Sequence, residues 1–143
     1  ADREPKLPIP PHSEITKKIN GLTFDMEPNP ADWNSLTFHF SRGSCQLTLG
    51  TDEETCTLDV GLDNVYRFGD TGRYGEHPAH NKVALRGKWK KDDTFFLDFL
   101  LMGRPEHFWI DVRFKEDEIE LKVEFAGTGG YYIPMKGKVS GSG

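Results

Sequence analysis

The chain has 143 residues and a formal net charge of −5 at pH 7, a single-domain length without the concentrated basic face that phosphate binding needs. Its hydrophobic fraction is 36%, with three Trp, four Tyr and ten Phe able to bury large areas per residue. No apolar run approaches the roughly 20 residues of a membrane span, and no secretory signal opens the chain. It begins with Ala1 rather than Met, which reads as processing or excision and leaves the compartment open.

Residues 1–20 read as an extended linker, because Pro5, Pro8, Pro10 and Pro11 space out Lys6-Leu7, Ile9 and His12. Ser13 to Ile19 could make one short helical turn before Asn20-Gly21 stops it. Residues 21–139 read as one domain, and 140–143 as a flexible tail.

From Leu22 onward apolar and polar residues alternate with period two. Leu22, Phe24 and Met26 form the first such stripe, and Leu36, Phe38 and Phe40 the second. Cys45, Leu47 and Leu49 face Cys56, Leu58 and Val60 around a turn at Gly50–Thr55, a register that sets Cys56 opposite Leu49. Cys45 then lies roughly 13 Å away, too far for a disulfide, so both cysteines read as small buried hydrophobes. Gly61 to Asn81 reads as a long loop carrying Tyr66 and Phe68.

Val83, Leu85 and Trp89 resume the pattern, followed by Phe95–Leu101, Phe108–Phe114, Ile119–Phe125 and Tyr131–Val139. Nine or ten strands at meander spacing, with no convincing amphipathic helix, predict an all-β fold. Clean alternation is the antiparallel signature, and many sequential hairpins favour closure into an up-and-down β-barrel, with a β-sandwich as the alternative. The stretch from Phe95 to Met102 is apolar on both faces. Its outer residues Phe96, Leu100 and Met102 are therefore expected either beneath the N-terminal segment or against a partner.

Catalytic motifs are absent. No Gly-x-Ser-x-Gly elbow and no Ser-x-x-Lys occur. His39 and Ser41 share a strand face but read as surface. His77 and His80 resemble a ligand pair, yet only Glu76 accompanies them, short of a metal site. Gly127–Gly130 lacks the strand-to-helix setting of a phosphate loop. No cofactor or metal is expected.

The aromatics Trp33, Trp89, Trp109, Tyr66, Tyr74, Tyr131 and Tyr132 suffice either to line a barrel mouth or to fill the barrel solidly. On the first reading the ligand-binding candidates are Tyr66, Arg67, Arg86, Trp89 and Trp109. On the second, Arg67 or Arg86 pairs with Asp63 and stabilises the fold.

Several phrases resemble the lipocalin-like C-terminal barrel of bacterial serine hydrolases related to β-lactamases and penicillin-binding proteins. They are Ile19–Phe24 with Glu27–Pro30, Trp33–Phe40, Val60–Phe68, Val83–Trp89 and Asp92–Phe95. The likeness spans about Ile19 to Val139, but Arg104-Pro105-Glu106-His107 departs from the family's phrase after the Phe95 strand. It implies a bacterial, non-catalytic accessory barrel packed on an upstream hydrolase domain, in the cell envelope or outside the cytoplasm. The alternative is a stand-alone barrel that binds a small hydrophobic or sugar-like ligand.

Overall fold

The protein is described by a computed structural model covering residues 6–52, 54–71, 82–102, 107–126 and 132–140. A one-turn helix α1 (Thr16–Ile19) precedes ten strands. These are β1 (Thr23–Met26), β2 (Ser35–Ser41), β3 (Ser44–Gly50), β4 (Thr55–Asp59), β5 (Arg67–Asp70), β6 (Lys82–Lys91), β7 (Thr94–Leu101), β8 (His107–Lys115), β9 (Glu118–Phe125) and β10 (Tyr132–Val139). Among the described residues no helix is long and apolar enough to cross a membrane.

Apart from β4 and β5, consecutive strands pair antiparallel, and β1 pairs with β10, so the sheet curls into a nearly closed barrel. One seam stays open in the ladder. Between β4 and β5 no strand pairing forms among the described residues, and the Leu58 side chain packs against Gly69 instead. The region read as a long loop thus holds β5, whose Arg67–Asp70 pairs with Lys82–Leu85. Four residues with a glycine among them are too short to show a period-two signal.

Alternation decides which side chains enter. Phe24, Leu36, Phe38, Leu47, Leu85, Phe95, Leu97, Ile110, Val112, Ile119 and Leu121 are all buried in one core, while most of the alternate residues on the same strands are exposed or half-buried, Thr37, Ala84, Thr94 and Asp98 being buried on the outer face. The expected facing of Cys56 and Leu49 is present, and both cysteines are free thiols.

The hairpins make the two ends unequal. At one end lie the two-residue turns at 42–43, 92–93 and 116–117, and α1 folds across it with Ile19 buried. Asn20 ties α1 down, since its side chain both accepts from Phe40 N (2.7 Å) and donates to Phe40 O (2.9 Å). Behind this plug Phe38, Phe40, Phe95, Phe114 and Trp89 pack edge-on and tilted at 5.2–6.4 Å. Each fully buried ring contributes about 2–3 kcal/mol, so this end is solid. The connection 60–66 shares that end, and the connections 27–34, 51–54, 71–81, 102–106 and 126–131 leave from the other.

Candidate functional site

The open end owes its shape to the connection from β1 to β2. Asn29 organises it: the side-chain oxygen accepts from Ala31 N (3.1 Å) and Trp33 N (3.2 Å), and the amide donates to Glu27 O and Trp33 O (both 2.9 Å). Asp32 adopts a left-handed φ of 55°, a conformation that Asp tolerates better than most residues. This local network folds Pro30, Ala31 and Trp33 over the barrel mouth. Trp33 is 5% exposed and packs on Phe99 with 5.8 Å between ring centres.

Beneath that cover lies a cavity of about 190 Å³. Its walls are the inward residues at the open ends of three strands: Phe108 and Ile110 on β8, Val123 and Phe125 on β9, Ile133 and Met135 on β10. The Phe108 and Phe125 rings stand 5.0 Å apart, and Phe125 is 39% exposed at the rim. All of these side chains present carbon or thioether sulfur. The barrel is therefore packed at the α1 end and holds a cavity near the other.

The candidates read from the sequence do not line this cavity. Trp89 belongs to the solid end, where its indole N–H donates to His12 Nδ1 at 3.3 Å. Trp109 alternates with the inward Phe108 and Ile110, so strand parity puts it on the outer wall. Arg86 and Tyr66 are also on the outer wall, gathered around Asp98. Tyr66 Oη donates to Asp98 Oδ2 at 2.8 Å, Arg86 Nε donates to the same oxygen at 2.9 Å, and His107 Nε2 meets Oδ1. The Arg86 guanidinium also stacks over the Tyr66 ring at 4.3 Å, which leaves the Asp98 side chain 4% exposed.

Arg67 pairs with Asp63 at 2.9 Å, and Arg86 does not. That contact lies within the connection from β4 to β5, four residues apart, and not across strands. The Arg67 guanidinium holds the Asp63 carboxyl below the usual carboxylate range. Next to it, Gly61 bridges β6 by accepting from Gly87 N (2.8 Å) and donating to Leu85 O (3.1 Å). A Cβ on Gly61 would run into the Val65 carbonyl.

Among the partner-facing candidates, Phe96 and Trp109 floor an outer hollow walled on one side by Leu7, Pro8 and Pro10 of the N-terminal segment. That segment is pinned by Leu7 N to Asp63 O at 2.8 Å. Leu100 near the end of β7 and Met102 just beyond it are half-buried. Residues 12–20, read as the end of a linker, are joined to the barrel through His12, Asn20 and the buried Ile19. Glu76, His77, His80, Tyr74, Gly127–Gly130, Tyr131 and Arg104–Glu106 lie outside the described residues.

The fold has a solved counterpart. The chain is similar to a fatty-acid-binding protein from brain tissue of Drosophila melanogaster, with a TM-score of 0.59, 10% identity and coverage of 85% of this chain and 99% of that one. The architecture is a lipocalin-like, fatty-acid-binding-protein-like barrel. No family model and no curated protein matches the chain. The likeness to a hydrolase-associated barrel therefore gains support for its fold and none for its origin or partner.

Trp33, one of the aromatics able to line a barrel mouth, does so here, while the aliphatic and Phe walls carry no compositional signal of their own. The available signal was positional: inward apolar residues at strand ends next to the longest connections, opposite the end with two-residue turns.

Proposed function

We propose that this domain is a binding barrel that holds one small apolar molecule in the cavity between the Pro30–Trp33 cover and β8–β10. The observation that carries the reading is the hollow itself, about 190 Å³ of carbon-lined space at one end of a barrel whose other end is packed solid. Enclosed apolar cavities take up hydrocarbons, a space of roughly 150 Å³ being enough for benzene, and this one opens to solvent at the Phe125 rim, which gives a ligand its way in. The structural neighbour carries a binding protein's name, which agrees with a ligand role and lends no ligand of its own.

Ethylbenzene titrated into the protein, followed by NMR, should give saturable shifts at the Ile110, Val123 and Ile133 methyls. The expected Kd is on the order of a millimolar or tighter for a ligand of this size. Ile133→Trp, which fills the space, should abolish the shifts while leaving the circular dichroism unchanged. Absence of saturable shifts in the unmodified protein overturns the reading.

A second reading keeps the accessory role beside a serine hydrolase domain. Its support is the outer hollow of about 420 Å³ over Phe96 and Trp109, the latter 36% exposed, since exposed aromatic surface favours contact with a partner. Determining the coding sequence upstream of Ala1 tests it: a Ser-x-x-Lys domain there supports the reading, and any other sequence overturns it.

A further inference from the structure

Of the three tryptophans, two have an outlet for the indole N–H. Trp89 donates to His12 Nδ1, and Trp109 is 36% exposed and reaches water. Trp33 differs from both. Its backbone N–H and C=O are bonded to Asn29, but its indole N–H meets no acceptor among the described residues, although the residue is only 5% exposed. Buried Trp N–H groups normally find a partner, and leaving one unmet is unfavourable.

Trp33 lines the cavity, and the other lining side chains offer no oxygen or nitrogen. Ordered water is a poor occupant of such a space, because a buried water needs two to four polar partners and the described lining supplies one donor. A carboxylate is a poor occupant too, since a single neutral donor does not offset the loss of its hydration.

Resting on the proposed binding role, we infer that the cavity selects a neutral, single-ring or short-chain molecule bearing one acceptor oxygen, such as an aryl ketone, aldehyde or ether, and that Trp33 Nε1–H is the group that reads that oxygen. The same volume excludes a long acyl chain from full entry, because the barrel below is occupied by the Phe38, Phe40, Phe95 and Phe114 rings. Specificity then follows from one donor in an apolar surround, an arrangement in which an unmet polar group penalises the analogue that lacks the oxygen.

Acetophenone, ethylbenzene and benzoate, nearly equal in size, separate the possibilities by calorimetry. Acetophenone is expected to bind about five- to tenfold tighter than ethylbenzene, the worth of one neutral hydrogen bond, and benzoate weakest of the three. Trp33→Phe should bring the acetophenone-to-ethylbenzene ratio close to one while ethylbenzene still binds. In the unmodified protein the Trp33 Nε1–H proton resonance should move downfield with acetophenone and not with ethylbenzene, a readout that stands if the variant fails to fold. Equal affinity for the two neutral ligands, a ratio unchanged in Trp33→Phe, or tightest binding by benzoate overturns the inference and leaves the binding role intact. If none of the three binds, the binding role itself falls and the inference goes with it.

Discussion

The Trp89 indole N–H donates to Nδ1 of His12 across 3.3 Å, and Nε2 of the same ring reaches the carbonyls of Ser41 (2.7 Å) and Ser44 (3.0 Å). In this arrangement Nδ1 accepts from Trp89 while Nε2 faces two carbonyls. These three contacts also clamp the N-terminal segment onto the turn between β2 and β3. His12→Ala is expected to destabilise the fold by about 1–3 kcal/mol, because the Trp89 donor is left unmet. Trp89→Phe in the His12→Ala background should cost less than Trp89→Phe alone, since it removes that unmet donor. Urea melts of the two single variants and the double variant measure the coupling.

Asp98 is on the outer wall with 4% of its side chain exposed, and its two oxygens are met by Arg86, Tyr66 and His107. Asp98→Ala is expected to destabilise by about 3–5 kcal/mol, as when one member of a buried ion pair is removed. The cavity is on the other side of the sheet. A thermal melt should therefore show the loss while ethylbenzene affinity at a temperature below the transition stays within twofold.

Asp63 gives the fold a dependence on acid. Arg67 holds its folded pKa below the ordinary value of 3.8. A carboxylate depressed by folding contributes stability above its unfolded pKa, and that contribution fades as pH falls through the folded one. Urea midpoints should therefore drop below about pH 4. Arg67→Met should flatten the part of that drop due to Asp63, visible as a smaller difference between pH 7 and pH 3.

Burial pushes the Cys45 thiol up to about 12 and raises Cys56 as well. Thiolate is the reactive form, so at pH 8 in native conditions Cys45 should resist iodoacetamide and half-buried Cys56 should react slowly. In 8 M urea both should alkylate at similar rates. Mass spectrometry after cleavage with a glutamate-specific protease, which separates the two cysteines at Glu53-Glu54, distinguishes them, and rapid native labelling of Cys45 would contradict the packing of β3 against β2.

Strand parity was legible because it is written residue by residue: Phe108, Ile110, Val112 and Phe114 go in, and Trp109, Asp111 and Arg113 go out. The same rule, applied strictly, already excluded Trp109 from the interior. Arg86 could not be assigned to Asp98 in advance, since that pairing depends on β6 and β7 aligning Arg86 opposite Asp98. β5 was hidden by its brevity. The cavity depended on which end of the barrel α1 plugs, a tertiary fact carried by one turn of helix and the Asn20 contacts to Phe40.

The unpaired seam between β4 and β5 has a mechanical consequence. Among the described residues the neighbouring strands elsewhere are joined by backbone ladders, whereas here Leu58 packs on Gly69 and backbone bonds cross the gap only at its α1 end, where Gly61 is tied to β6. The stretch of seam beyond Gly61 is thus the line along which the wall can yield with the least loss of hydrogen bonding.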